Sequence, residues 1–370
     1  MVAPQNETHI IISLTQLAEN YKNLQRFCSD HCTISAVLKA DAYGFGICNI
    51  LPALYKAGCR DFWVANFEEA MTAKQALDGH ANSADKVNIY ILHGLQSKEN
   101  ISLSIKYGFI PVINSTEQLR CIVDAINTSE GKQNQCDAVI QIDTGMNRLG
   151  FDYNTFDTTY STYRHLFDQL NVKILMSHLA NAYNTDHPNN ELQYDRFNRF
   201  KKYFPKAKRS IANSGAIFLH NKYHMDLVRP GVALYGFNTN YLKPIITIKA
   251  AIIHKAIVSD KETTVGYNSL YNVHKGSKLV TIEYGYADGY PISDNGKSDR
   301  YCWCGGYKLP IAGRINMDTI VLDASQLPDE LFSSIDYAEV FNEHTPMNRP
   351  GIDGYEIFAN ITRRYKHIYI

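Results

Sequence analysis

The stretch ISAVLKADAYGFG, residues 34–46, runs an apolar segment into a lysine and then into two glycines. Ile34, Ala36, Val37 and Leu38 read as a buried strand with Lys39 at its C-terminal tip. Ala40, Ala42 and Tyr43 follow, then Gly44 and Gly46, a turn that lets backbone approach a ligand closely. A lysine leaving a buried strand is partly desolvated, which favours the neutral amine and makes it a usable nucleophile or base. The plain alternative is a lysine whose stem lies along the strand end while its ammonium reaches water. The stretch alone leaves the two balanced.

Moving outward, short β-like runs recur at 62–65, 88–92, 109–113, 138–142, 173–176, 209–212 and 225–228, separated by segments of helical character. With 34–38 they make eight, the alternation of a (β/α)8 TIM-type barrel. A doubly wound sheet would also alternate, but its glycine-rich phosphate turn, GxGxxG, is absent after the first strand. Ahead of them, Ser13 with Gln16 forms a capping box that opens a helix carrying Leu14, Leu17, Tyr21 and Leu24 on one face. Polar groups stand just beyond the runs: Lys39, Asn66, His93, Asn114, Asp143 with Arg148, His178, Asn213 with Ser214, and Arg229. A barrel builds its active site at these strand ends. Singly each has a duller role, and Asn66 and Asn114 read equally well as helix caps.

From residue 239 to 370 the pattern changes. Residues 245–258, 264–271, 278–284, 308–311 and 319–322 alternate apolar and polar side chains between Gly, Pro, Asn and Asp breaks, as strands do. The expectation is a barrel domain over 1–238 and a mainly β domain over 239–370. Lys+Arg and Asp+Glu both number 37, a zero balance that argues against a nucleic-acid or membrane-surface partner. The eight scattered cysteines lack zinc-ribbon spacing and suit free thiols. The first residues lack a signal peptide's basic and apolar regions, so a cytoplasmic location is expected.

Chemically, Lys39 can condense with a carbonyl. Asn213-Ser214-Gly215 and Arg229-Pro230-Gly231-Val232 offer hydroxyl and backbone N–H donors beside glycines, as a barrel phosphate site does. His178 can stack on a heteroaromatic ring, and Arg229 can donate to a ring nitrogen. Together these describe pyridoxal 5′-phosphate. Taken singly, His178 reads as a packed core histidine and Arg229 as a surface ion pair.

These residues carry a resemblance to a known family. AVLKADAYGFG (36–46), IDTGMNRLGF (142–151), SHLANA (177–182), IANSGA (211–216), VRPGVALYG (228–236), VGYNSLY (265–271), YGYADGYP (284–291) and GRINMD (313–318) stand in the order found in the pyridoxal-phosphate-dependent alanine racemases. The resemblance implies a (β/α)8 barrel with a C-terminal β domain, and homodimers whose active sites are shared between chains. It implies that Lys39 carries the cofactor and that Tyr43, Ser214, Gly231 and Val232, with Asn213 beside them, bind its phosphate. His178 is implied to stack on the ring, and Arg229 to bond the ring nitrogen. Lys39 and Tyr267 are implied as the two bases, with Tyr267 supplied by the other chain. Arg148 and the Met317 backbone are implied to meet the substrate carboxylate. Racemisation needs a proton removed from Cα on one face and returned on the other, so two bases must flank it.

Three positions depart from the family pattern. Gln141 stands where many members carry a carbamylated lysine that holds the arginine at position 148; a neutral amide accepting from Arg148 is expected instead, with another anion near that arginine. Arg363 stands where some members have a phosphate-contacting tyrosine, with Tyr365 two residues on. At the entrance, Tyr286 and Arg314 match gate positions, but Ile292 replaces an arginine. A less polar mouth leaves open a racemase acting on serine or a broader set of amino acids.

Overall fold

The structure, a computed structural model, describes residues 7–80, 85–128, 136–237, 241–292, 300–344, 357, 360–361 and 364–370. The chain forms two compact units, one over 18–234 and the other joining 1–17 to 235–370.

In the first unit, parallel strands Ala36–Val37, Asp61–Val64, Asn88–Ile91, Ile110–Ile113, Cys136–Asp143, Leu170–Met176 and Lys208–Ser210 lie side by side in chain order. The circle closes through Leu227–Val228, which pairs in parallel with Thr33–Ile34, and through a parallel bridge between Asn213 and Arg229. This is a TIM-type barrel whose first strand is interrupted at Ser35. Helices Ile47–Lys56, Phe67–Leu77, Lys98–Tyr107, Thr116–Thr128, Phe156–Phe167 and Asn189–Asn198 follow successive strands. The expected capping hydroxyl of Ser13 accepts from the Gln16 N–H at 3.1 Å. Asn66 does cap its helix, accepting from the Glu69 N–H at 2.9 Å. Asn114 does not: its amide donates to the Leu92 and Val112 carbonyls, and the Ser115 hydroxyl caps the helix that follows.

Val37, Trp63, Tyr90, Val112, Val139, Ile174, Met176 and Leu227 pack into one core cluster. Strands that face this core on one side and helices on the other are buried on both, so their sequences read as unbroken apolar runs. Each such aliphatic side chain, removed from water, contributes about 1.5–3 kcal/mol. Trp63 and Tyr90 stack with ring centres 4.1 Å apart. Their polar atoms are satisfied: the indole N–H donates to Ser35 Oγ at 2.9 Å, and the Tyr90 hydroxyl to Asp61 Oδ1 at 2.8 Å.

The second unit is organised on the twelve-residue strand Ile246–Ile257. Its first half pairs antiparallel with His9–Ile12 and Tyr337–Phe341, and its second half with Lys278–Ile282. The N-terminal strand, which also pairs with Lys366–Tyr369, therefore belongs to the β unit although it opens the chain. Residues 264–271, expected as one strand, instead end one strand, turn through 266–270 and open the next, in a hairpin of Glu262–Val265 and Tyr271–His274. Gly266, Asn268 and Ser269 all have positive φ there, which no continuous strand accommodates.

Candidate active site

The barrel strand ends gather one cationic cluster. Lys39 stands two residues past the strand Ala36–Val37, after Leu38, and is half-buried. Desolvation, and then the positive Arg148, push its ammonium below the ordinary lysine value, while Glu69 opposes this. His178, just past Leu170–Met176, is held well below the usual imidazole value by burial and by Arg229, Arg148 and Lys39. The ring is thus neutral. Its Nε2 accepts from the Asn213 side-chain amide at 3.3 Å, which fixes the proton on Nδ1.

Arg229 is 4% exposed. Its guanidinium donates to Ser210 Oγ and to the Ser177 carbonyl, and lies 5.7 Å from the Trp63 ring centre. Burial, and then Arg148, push it down to about 9, so it still carries its charge at neutral pH. The Thr144 and Ser177 hydroxyls pair at 2.8 Å, and the buried Gln193 amide donates to Thr144 Oγ1 and to the His178 carbonyl. Trp63, Ser177, Ser210 and Gln193 were missed from sequence. For Trp63, Ser177 and Ser210 the one signal was a polar atom in or beside an apolar run, which needs a partner once buried; Gln193, in the mostly polar helix Asn189–Asn198, carried none.

Beside the arginine lies a small cradle. Ser214 Oγ accepts from the Gly231 N–H at 2.9 Å and the Ala233 N–H at 3.2 Å, leaving its own hydrogen free to donate outward. Asn213 Oδ1 accepts from the Ala216 N–H at 3.2 Å. Val232 opens a short 3-10 turn, Val232–Tyr235, and the first N–H groups of such a turn have no acceptor within it. The Tyr43 hydroxyl lies so close over Gly231 that a Cβ there would collide with it. Hydroxyls, backbone N–H groups and a missing side chain are what a phosphate needs.

Arg148 is exposed on the loop after Cys136–Asp143, which the Asp143 carboxylate shapes by accepting from the Gly145, Met146 and Arg148 N–H groups. The expected acceptance by Gln141 is not found. Its Nε2 instead donates to the Leu149 carbonyl at 2.7 Å, because a buried amide N–H must find an acceptor and the loop backbone is nearest. Among the described residues no carboxylate forms an ion pair with the Arg148 guanidinium.

In the β unit, Tyr267 stands on the hairpin turn with 71% of its surface exposed. Met317 is 54% exposed, and its carbonyl accepts from the Ala287 N–H at 3.0 Å, tying its loop to the turn Tyr286–Asp288. Ile292 is exposed at 53%. The Tyr365 hydroxyl donates to Asp288 Oδ2 at 3.3 Å. Arg363 lies outside the described residues.

Three cations around a neutral imidazole, with a cradle of hydroxyl and backbone N–H groups beside them, define a class: a TIM-type barrel protein that holds an anionic cofactor next to a lysine. The chain matches two successive family descriptions, "Alanine racemase, N-terminal domain" over residues 12–239 and "Alanine racemase, C-terminal domain" over 245–369. It is 35% identical to the alanine racemase of Rickettsia canadensis (strain McKiel) over 364 residues, 97% of this chain and 98% of that one. It is also 35% identical to the catabolic alanine racemase of Agrobacterium fabrum, over 98% of this chain and 92% of the relative. Among solved structures, the alanine racemase of Bartonella henselae with covalently bound pyridoxal phosphate superposes with a TM-score of 0.86 at 34% identity, covering 98% and 99% of the two chains. The biosynthetic enzyme of Pseudomonas aeruginosa gives 0.83 at 27% identity over the same shares. The chain belongs to the alanine racemase family.

Proposed function

We propose that this protein is a pyridoxal 5′-phosphate-dependent alanine racemase that interconverts L- and D-alanine by a two-base mechanism. The observation that carries the reading is the convergence of Lys39, His178, Arg148 and Arg229 beside the Ser214–Gly231 cradle, all within the barrel unit. When bound, the cofactor supplies an aldehyde and a conjugated ring that acidify the α-proton of an amino acid. Lys39 would carry it, with Tyr43, Asn213, Ser214, Gly231 and Val232 around the phosphate, His178 against the ring and Arg229 at the ring nitrogen. Lys39 then moves the α-proton on one face. Its lowered basicity supports this, since a neutral amine accepts a proton where an ammonium cannot.

Tyr267 of a second copy serves the other face, and Arg148 with the Met317 backbone receives the substrate carboxylate. The exposure of Tyr267 supports its use across a homodimer with shared active sites. The barrel unit over 18–234 thus carries the cofactor, and the β unit, 1–17 with 235–370, lends the second base to the partner. The enzyme works in the cytoplasm and supplies D-alanine for peptidoglycan. No helix among the described residues is long and apolar enough to cross a membrane.

The test is NMR of L-alanine in D2O with the purified protein and pyridoxal 5′-phosphate, scoring Cα–H exchange and D-isomer, with L-serine, L-lysine and L-arginine run in parallel. Exchange with inversion on alanine alone is the expected result. Comparable inversion on serine or the basic amino acids would move the reading to a broader racemase, which the apolar Ile292 would then explain. No exchange on any of them would overturn the function.

A further inference from the structure

Four successive residues without a glycine among them, Ala40, Asp41, Ala42 and Tyr43, adopt left-handed backbone with φ of 52°, 53°, 55° and 59°. Each such residue costs about 1–2 kcal/mol, so a run of four persists only where its surroundings over-determine it. Part of the restraint is local. The Ala42 N–H donates to the Leu38 carbonyl and Gly44 N–H to Ala40, both at 2.8 Å, and the Asp41 carboxylate accepts from Ile47 N–H. The first N–H of the turn, Ala40, takes no backbone partner. It donates to Glu69 Oε1 at 2.6 Å, while Oε2 of the same carboxylate accepts from the Ala65 N–H, also at 2.6 Å.

Glu69 occupies the third position of the helix Phe67–Leu77, behind the Asn66 cap. A glutamate there ordinarily reaches back to the N–H of its own cap. Here both oxygens are spent further out, on Ala65 past one barrel strand and on Ala40 past its neighbour. The residue before Ala40 is Lys39.

We propose that Glu69 is the positioning residue for Lys39: its carboxylate bridges the ends of the first two barrel strands and sets the left-handed turn on which the lysine stands. This rests on Lys39 being the reactive lysine of the proposed function. Among the described residues, Glu69 is also the carboxylate whose charge acts on the lysine, favouring its protonated form.

The experiment uses the full-length protein with its cofactor and the variants Glu69→Gln, Glu69→Asp and, as an exposed neighbour, Glu68→Gln. Two readouts are taken: amide hydrogen exchange at Ala40 and Ala65, and the pH dependence of the absorbance of the lysine-bound cofactor. In Glu69→Gln, exchange at Ala40 should rise about tenfold, as the loss of one charged hydrogen bond implies, and the absorbance midpoint should move to lower pH. Glu69→Asp keeps the charge but not the reach, so exchange rises while the midpoint stays. Glu68→Gln should change neither. If Glu69→Gln does not fold, the aspartate variant still reads the clamp by exchange. Unchanged exchange at Ala40 in the folded variants, or a rise shared equally by all barrel amides, overturns the proposal. A protein that racemises nothing yet loses Ala40 protection keeps the clamp and loses the function. An active enzyme indifferent to Glu69 does the reverse.

Discussion

At Gly231 the structure has room for a hydrogen and nothing larger, because the Tyr43 hydroxyl occupies the place a side chain would take. Gly231→Ala must displace the tyrosine, at a cost of about 1–3 kcal/mol, and with it one donor of the proposed phosphate cradle. Affinity for pyridoxal 5′-phosphate, followed by fluorescence titration, should fall at least about tenfold. Adding Tyr43→Phe relieves the collision with the hydroxyl, so the double variant should lose less than the sum of the two single changes. His178 makes a second prediction at this scale. Its folded-state pKa lies well below the unfolded value near 6.5, so below about pH 6.5 the unfolded chain takes up a proton that the native chain refuses. Stability is therefore complete above that pH and falls as pH drops beneath it. The slope is at most about 1.4 kcal/mol per pH unit for each such histidine, and buried His224, also depressed by burial, adds to it. Urea melts at pH 7.5, 6.5 and 5.5 should show the decline. His178→Gln should flatten it, since one titrating group is gone. An unchanged slope would mean that His178 is protonated in the native state.

The element that best separates what sequence reveals from what it hides is the left-handed turn after Lys39. Ala40 is exposed there at φ 52°, a conformation that glycine adopts freely and that β-branched residues resist. Ala40→Val should lower the unfolding free energy by about 2 kcal/mol, whereas Ala40→Gly should leave it nearly level, relief of strain offsetting the extra entropy of the unfolded chain. Denaturant midpoints of both variants check this, and equal losses would show that side-chain contacts of Ala40, not its backbone, matter. Gly44 and Gly46 mark a turn here, but nothing in Ala-Asp-Ala-Tyr announces that its backbone is left-handed. Part of the restraint comes from Glu69, 29 residues away in sequence, and no local pattern could contain that part. The barrel strands were legible for the opposite reason. Burial on two faces makes each a contiguous apolar run, and the polar residue after each run marks the end where function gathers. The hairpin at 264–271 was misread because its apolar residues alternate through the turn, while the positive φ values at Asn268 and Ser269 fall on residues that do not require them.

Across the whole chain, the two units divide the proposed chemistry. Lys39 lies in the barrel unit and Tyr267 in the β unit, which recruits the strand His9–Ile12 from the opposite end of the sequence. That recruitment was not legible because four residues with three isoleucines carry no sign of a partner some 240 positions away. If each active site takes Lys39 from one chain and Tyr267 from the other, two inactive variants should rescue one another. A homodimer of Lys39→Ala lacks the cofactor-bearing lysine in both sites, and a homodimer of Tyr267→Phe lacks the second base in both. In a mixed dimer, one site collects both lesions and the other collects none. Random assortment of co-expressed chains makes half the dimers mixed, with one intact site of two, so activity should return to roughly a quarter of wild type. Were both bases drawn from a single chain, neither site of the mixed dimer would be whole, and the mixture would stay as inactive as its parents. The same pair distinguishes the two faces of the reaction. The Tyr267→Phe homodimer should retain Cα–H exchange on the face served by Lys39 while losing inversion, and equal loss of both would place the second base elsewhere than on the exposed turn.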